Sequence, residues 1–555
     1  MKGRRGTVLL LGGVLALLLA WLVGYPLLLT LLQALGLPGR LSFASFAAFF
    51  ARRDEWMALW RSLWISCASV ALAALIGIPL AFVFERADFP GRRFLGAVVA
   101  LPVALPPLVG VIAFLFLYGE SGFVSRAVMA LFRLDNPPWR LNGWGAILLV
   151  HAYSMYVYFY LFTRAGLQRL DAALGEAAAS LGASRRRTLF AVTLPLLRPA
   201  LAGAALLTFM TALASFSAPY VFGGGFRVMT TQIVASKLNG DMGMAEVETV
   251  MLAALALVGL WGMRRSERSQ IGGVVAGAVR GVAPARRRLR GRARGAAAVA
   301  GYLLAALLLL PHAVLLLLSL VPPFTWTAQA IPPVLNLGNY QGLVSDPEHL
   351  RPVVNSLWMA TAATLAALAL GFAAARSARR LGGRLGGSLE WLVALPWAIP
   401  GTVFAIALAV TFSVHQPFLG RFVLIGTPVI LPLAYLVRSL PVTGRAALAG
   451  LAQLDPALEE AAASLGAGAG RRLFRVTLPL LRPALAAGAG LAFIAALGDL
   501  VTSIVLYTYE TRPIAIEILG SLRLQDLGMA AVYGVLLMAA SAAAFLLEDR
   551  REARG

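Results

Sequence analysis

Residues Glu176 to Pro195 read Glu-Ala-Ala-Ala-Ser-Leu-Gly, then Ala183 to Thr193, then Leu194-Pro195. The stretch returns 284 residues later, from Glu460 to Pro479, with the same seven opening residues and the same closing Leu-Pro. Between 170–202 and 454–486, 26 of 33 positions are identical without a gap. Each copy is a polar, charged island between long apolar segments. A chain that keeps two matching polar elements among apolar ones is expected to present both to a soluble partner.

Local chemistry predicts the shape of the element. Asp171 and Asp455 read as helix N-caps, and Pro456 stands at a first helical position, where its missing N–H costs nothing. Leu170, Leu174, Ala178 and Leu181 recur at helical spacing and give a short helix with one apolar face. Gly182 ends it, and Ser184 caps a second short helix carrying Arg185, Arg186 and Arg187. Pro195 and Pro199 lead into the next apolar run. The result is a bent helix pair with a compact apolar knob. In the second copy Ala467 to Gly470 replaces the basic run, so the two contacts need not be equivalent. Two amphipathic hairpins lying on lipid are the alternative, but lipid demands no fixed residue spacing, and the spacing is duplicated.

The chain has 555 residues, 59% apolar and 13% charged. With a mean hydropathy of +0.80, that composition excludes a soluble domain and predicts an all-α polytopic membrane protein. Spans of about 20 apolar residues, about twelve in all, are expected near 8–35, 62–84, 95–118, 143–163, 199–222 and 245–263, then near 297–321, 354–375, 389–413, 422–441, 483–508 and 529–547. Pro428, Pro432 and Pro441 interrupt the span near 422–441. The N-terminal run from Val8 to about Leu35 is longer than a signal peptide's apolar region and reads as a retained first span. The net charge of +23 does not indicate nucleic acid. With both termini cytoplasmic, most of the 48 basic residues fall on the cytoplasmic side and the acids divide evenly, which is the positive-inside pattern. That orientation also puts both Glu-Ala-Ala elements in the cytoplasm.

The repeat extends beyond the loop element. Ser62-Leu63-Trp64 and Gly77 match Ser356-Leu357-Trp358 and Gly371, and Leu101-Pro102 with Pro106 match Leu395-Pro396 with Pro400. Asp241-Met242-Gly243-Met244-Ala245 matches Asp526-Leu527-Gly528-Met529-Ala530. The expected organisation is a first transmembrane half at 1–263, a basic cytoplasmic linker at 264–296 and a second transmembrane half at 297–555. With six spans each, the halves enter the membrane in the same direction and are related by an axis along its normal. The linker, with ten Arg between Arg264 and Arg294, reads as a cytoplasmic segment with some affinity for anionic lipid.

These loop residues resemble the Glu-Ala-Ala-x3-Gly-x9-hydrophobic-x-Leu-Pro motif of the membrane permeases of binding-protein-dependent ABC importers. The match is Glu176-Ala177-Ala178, Gly182, Val192 and Leu194-Pro195, and again Glu460-Ala461-Ala462, Gly466, Val476 and Leu478-Pro479, with Val where Ile is usual. A single chain with two such halves is similar to the fused permeases for ferric iron and for thiamine. The resemblance implies an inner-membrane permease served by two copies of a cytoplasmic ABC ATPase and by a periplasmic substrate-binding protein. It also implies that Glu176 and Glu460 contact the ATPase, and that Gly182 and Gly466 set the bend. This chain is expected to bind no cofactor and to be no enzyme. Neither Lys2 nor Lys237 follows a Gly as a P-loop lysine does, so ATP is used by the partner subunits.

For the substrate pathway, Asp499 is the acid expected well inside a span, with Ser215 as its repeat equivalent. It reads either as a functional carboxylate or as a structural hydrogen-bond partner of Thr502, Ser503 or a neighbouring helix. Ser215, Ser217, Thr502 and Ser503 are further pathway candidates. Cys67 and the scattered His151, His312, His349 and His415 show no ligand spacing, and no metal site is expected. Tyr153, Tyr156 and Tyr160 share a helical face and read as packing rather than iron ligands. By resemblance ferric iron is the first substrate expected and thiamine the second, with polyamine and phosphonate permeases behind. A twelve-span secondary transporter is the competing class; it would need no paired Glu-Ala-Ala elements.

Overall fold

Apolar runs of this length have one economical solution in hydrocarbon, the helix, which pairs its own backbone groups. The computed structural model follows that rule. It describes residues 2–37, 39–271, 287–323, 325, 331–416, 418 and 422–552. Ten of its helices are long and apolar enough to cross a membrane, and a bent pair, Gly383–Trp397 with Gly401–Ser413, meets the same measure taken together, as one broken span or a re-entrant loop. The only strand pairing among the described residues is two residues long, Ala87–Asp88 beside Arg287–Arg288. Residues 272–286 of the expected linker lie outside the described residues. At its edges the helix Met242–Ile271 runs into it and the helix Gly291–Ser319 starts within it.

Several spans differ from their expected limits, and proline is the common cause. Near 95–118 the helix Arg92–Ala100 passes into a 3-10 turn, Leu101–Ala104, and a fresh helix starts at Pro107. Leu105 and Pro106 are extended there (ψ 126 and 134), because a residue before proline is driven out of the helical region. The crossing then runs from Pro107 to Phe132, so the expected loop at 119–142 contains the helix Phe123–Phe132. In the second repeat the matching prolines bend the pair by 104° before Gly401. The span expected at 422–441 is instead the helix Ile430–Gln453, which accommodates Pro441 in its interior. The spans expected at 199–222 and 483–508 stop at Leu213 and Leu497, and short helices Ser217–Phe222 and Ser503–Leu506 follow.

The chain forms two compact units built from interleaved segments: 1–52 with 233–253 and 318–555, and 53–232 with 254–317. Within the first, Lys2–Leu19 packs along Pro347–Leu381 and Gly383–Ala394. Trp21 meets Phe412 edge-on at 6.2 Å. Within the second, Ala305 and Leu308 share a core with Phe84, Leu95, Tyr156 and Tyr160. Each unit therefore combines the core of one repeat with the leading helix of the other.

The tightest crossing in each unit rests on a glycine of the repeat. A Cβ on Gly77 would lie 2.4 Å from the Tyr156 carbonyl oxygen, so Arg53–Arg86 meets Gly143–Arg169 backbone to backbone. A Cβ on Gly371 would lie 2.8 Å from the Gly444 nitrogen, where Pro347–Leu381 crosses Ile430–Gln453. Thr443 Oγ1 donates to the Ala367 carbonyl across the same crossing at 2.9 Å. Close approach through small residues is how membrane helices gain packing without a hydrophobic driving force. We expect Gly77→Leu and Gly371→Leu each to cost about 1–3 kcal/mol through overpacking. Thermal unfolding in detergent checks this against Gly145→Ala, where a new Cβ meets open space.

Candidate functional site

The two loop elements fold as their sequence chemistry requires. Asp171 accepts from the Ala173 N–H at 3.0 Å to start the first loop helix, Ala172–Ser180. Asp455 accepts from the Ala457 N–H at 2.9 Å to start the second, Pro456–Ser464. Both end in a left-handed glycine, Gly182 (φ 76) and Gly466 (φ 80). The glycine N–H reaches the carbonyl three residues back, Ala179 or Ala463, and the next N–H reaches Ala178 or Ala462. This is a Schellman closure, and it uses up the carbonyls that a helix end leaves open. Ser184 caps the following turn by accepting from Arg187 N–H at 3.3 Å.

Beyond the bend the chain enters the membrane through a π turn, Leu189–Thr193 or Leu473–Thr477. Pro195 and Pro479 cannot donate, and the N–H of the residue before each reaches back five residues, to Leu189 or Leu473. The turn joins each loop without a gap to a long crossing, Arg185–Leu213 or Ala469–Leu497.

Neither loop helix buries a residue. Glu176, Ala177, Gly182, Glu460, Ala461 and Gly466 are exposed, with Ala178, Ala462 and Pro195 half-buried and Pro479 exposed. Two large apolar side chains stand out from each copy: Leu181 and Leu465 are each 88% exposed, and Phe190 and Phe474, at the start of the crossings, are 68% and 69% exposed. Of the apolar face expected in the first copy, Leu170 is buried against Leu167 and Leu197, Leu174 and Ala178 are half-buried, and Leu181 alone stands uncovered, as Leu465 does in the second.

The two loops differ in how they are held. Glu459, next to Glu460, turns the other way. It accepts from Arg376 Nη1 at 3.1 Å and from Thr477 Oγ1 at 2.6 Å. Arg380 stands 3.9 Å from its other oxygen. Burial raises the Glu459 carboxyl, and the Thr477 hydrogen bond with the arginine charges outweighs it, holding the group below the ordinary carboxylate value.

The pathway candidates lie at breaks rather than inside helices. Asp499 follows the end of Leu478–Leu497, where free backbone donors are at hand. Its Oδ1 accepts from the Thr502 N–H at 2.7 Å and its Oδ2 from Thr502 Oγ1 at 3.2 Å. Arg438 pairs with the same carboxylate and donates to Thr502 Oγ1 at 3.1 Å. The guanidinium fits because residue 401 is glycine; a Cβ there would lie 2.8 Å from Arg438 Cζ. The Ser503 hydroxyl lies against the Asp499 carbonyl and 2.6 Å from Tyr435 Oη. Asp499 is not the sole enclosed acid: Glu55, Glu248 and Glu517 are also buried. Glu248 accepts from Ser236 Oγ at 2.7 Å and Glu55 from Gln232 Nε2 at 3.2 Å.

Position 284 residues earlier, Ser215 meets His151. His151 Nε2 lies 2.9 Å from Ser215 Oγ, and Nδ1 lies 2.7 Å from Ser69 Oγ. The single Ser69 proton goes to the Ile65 carbonyl at 2.6 Å, so Nδ1 carries hydrogen and donates to Ser69 while Nε2 accepts from Ser215. Ser217 is buried at the start of Ser217–Phe222. Sequence reading missed His151, Tyr435 and Arg438. The same offset that pairs Ser215 with Asp499 pairs His151 with Tyr435 and would have found both. Arg438 was hidden by the misplaced span. The hydroxyls of Tyr153, Tyr156 and Tyr160 donate to the carbonyls of Leu308, Val99 and Gly96, so these tyrosines are packing residues.

The family model described as "Binding-protein-dependent transport system inner membrane component" matches residues 73–271 and 367–554, one loop element in each stretch. "Probable ABC transporter permease protein y4fN" of Sinorhizobium fredii is 32% identical over 551 residues, covering 98% of this chain and 95% of that protein. "Ferric transport system permease protein FbpB" of Actinobacillus pleuropneumoniae is 27% identical over 504 residues, 87% of this chain and 70% of that one. "Thiamine transport system permease protein ThiP" of Brucella abortus is 29% identical over 252 residues, 44% of each.

Removing one partner of an enclosed ion pair strands the other. Asp499→Ala is expected to lower stability by about 2 kcal/mol, below the ~3–5 of a fully enclosed pair, because the Arg438 side chain keeps 34% of its surface exposed. Asp499→Leu combined with Arg438→Met should recover most of the loss. Unfolding curves of the three proteins in detergent decide whether the pair is structural.

Proposed function

The chain belongs to the family of binding-protein-dependent transport system inner membrane components, as a fused permease with two matching halves, and from that premise we propose how it is driven and what it carries. Two copies of a cytoplasmic ABC ATPase dock on the two loop elements, and a periplasmic binding protein delivers the substrate. The chain sits in the bacterial inner membrane with both termini in the cytoplasm. It carries no nucleotide site or cofactor of its own, and ATP is spent by the partner subunits.

The observation that carries this reading is the uncovered pair of knobs. Leu181 and Leu465 are large apolar side chains left in the open on polar loops, one turn of chain ahead of the crossings. Leaving such surface to water is unfavourable unless a partner groove covers it. Glu176 and Glu460, with Ala177, Ala178, Ala461 and Ala462, form the face that meets the ATPase. Gly182 and Gly466 hold the bend, and Pro195 and Pro479 root it in the crossing. Duplicate knobs suit a partner present twice.

Ferric iron is the substrate we favour. The relative named for ferric transport aligns over 87% of this chain, and the one named for thiamine over 44%. The polar positions at the helix breaks, Asp499, Thr502 and Ser503 and separately Ser215 and Ser217, serve the substrate route. They are the places where a span opens its backbone ladder and polar side chains gather.

Two measurements test the reading. Glu176→Arg with Glu460→Arg should leave a folded chain that no longer retains its ATPase in a gentle detergent pull-down; full retention would overturn the docking assignment. The binding protein recovered with the wild-type chain, titrated with ferric iron and with thiamine, should take iron. Thiamine binding without iron binding would exchange the two substrates.

A further inference from the structure

The two docking elements are nearly the same in sequence, yet one is pinned to the membrane core by a charge and the other has no side chain with which to do so. Glu459 joins three pieces of one compact unit. It is carried by the loop helix Pro456–Ser464, paired with Arg376 and Arg380 at the end of Pro347–Leu381, and bonded to Thr477, which closes the π turn at the root of the crossing. Its side chain is 24% exposed and that of Arg376 15%, so the pair is shielded from bulk water and from salt.

The first repeat has Gly175 where the second has Glu459. A side chain at 175 would meet open space, so nothing steric explains its absence. Position 376 corresponds to Phe82, so the nearer arginine is missing as well, while the counterpart of Arg380 is kept as Arg86, which lies over the Phe82 ring. There the acid of the long helix, Glu85, pairs instead with Arg164 at 3.1 Å and with Gln168, both on Gly143–Arg169. The polar link in the first repeat runs between two long helices; in the second it runs from a long helix to the docking helix. A second difference acts in the same sense. Pro456 replaces Ala172 and fixes the first φ angle of the second docking helix.

We propose that Glu459 is a positioning residue for energy coupling, which makes the second docking element move as one body with Pro347–Leu381, while the first, cut at Gly175, follows its ATPase more freely. The two ATPase contacts are then mechanically unequal, and the second carries more of the drive. This rests on the docking assignment above. A swing of the ATPase at Leu465 and Phe474 reaches two membrane helices at once, through the π turn and through Arg376. At the first element the loop reaches its crossing through the π turn, without a counterpart of the Glu459–Arg376 link.

The test uses the full complex of this chain with its ATPase subunits in lipid nanodiscs, with substrate-loaded binding protein added. Wild type, E459A, R376A and the double variant are compared by ATPase retention and by substrate-stimulated ATP turnover. Retention should be unchanged in all four, because the knob is untouched. Stimulated turnover should fall about 5-fold or more in E459A. R376A should fall by a like amount, and the double variant should be no worse than either, as expected for groups acting as a unit. Installing the acid in the first element with G175E in an R86A background, where neither position 82 nor position 86 carries an arginine, should leave turnover within about twofold of the R86A chain. Turnover within twofold of wild type in E459A, or losses that multiply in the double variant, would overturn the proposal. Loss of the ATPase from E459A would overturn it too, since Glu459 would then serve binding and not transmission. Failure of the docking assignment is separate: it shows as ATPase retained by the E176R/E460R chain.

Discussion

Hydrocarbon offers no partner for a backbone N–H or C=O, and the rest of this structure depends on that constraint. Where the helical ladder is unbroken the sequence is free to be apolar, and it is, through the crossing Leu527–Ala544. Where proline or the end of a helix opens the ladder, polar side chains gather. Thr502 offers both its N–H and its hydroxyl to Asp499, and Thr230 Oγ1 donates to the Ser215 carbonyl at 2.7 Å. The breaks are therefore where chemistry is affordable inside the membrane. Arg438 follows from the same logic: a carboxylate in that setting needs a counter-charge, and Gly401 leaves the room for it.

The loop elements answer the opposite problem. A nine-residue helix such as Ala172–Ser180 is too short to hold itself in water. Asp171 or Asp455 satisfies donors at one end, and the Schellman turn at Gly182 or Gly466 satisfies acceptors at the other. With both ends closed, the helix can expose Leu181 or Leu465 without unravelling. The π turn then makes the knob a continuation of the crossing rather than an appendage on a slack linker. Displacement of the knob and displacement of the crossing become the same event.

Those loops were legible in the sequence almost to the residue, because caps, left-handed glycines and prolines act over three or four positions. The all-helical, polytopic class was legible too, since hydropathy needs no knowledge of neighbours. Span limits failed where proline meant different things in different settings. Pro106 and Pro400 interrupt their helices, whereas Pro441 sits inside Ile430–Gln453. The partners at the breaks were invisible for another reason. His151 and Ser215 are 64 residues apart, and Arg438 and Asp499 are 61 apart, so nothing local joins them. That Lys2–Leu19 packs on the helices of the second repeat is likewise a choice among equally apolar surfaces, which composition cannot make.

The repeat has kept some positions and released others, and the division follows what each touches. The glutamate, the apolar tips and the bend agree between copies, Glu176 with Glu460, Leu181 with Leu465, Phe190 with Phe474, and the two bend glycines, while the exposed run Ser184-Arg185-Arg186 gives way to Gly468-Ala469-Gly470. The inward ones have parted. His151 stands against Tyr435, and Ser215 against Asp499. Identical tips suit two copies of one partner, since a change on one tip alone would spoil one of two like grooves. Nothing imposes such a match on the interior, because each unit satisfies its own buried polar groups. A histidine bridging two serines and an arginine paired with an aspartate are alternative ways to meet that demand at equivalent places. Fusion of the halves into one chain fixes which interior goes with which knob. An asymmetric interior can then sit permanently behind a matched pair of apolar tips, which two separately made copies of one subunit would not achieve.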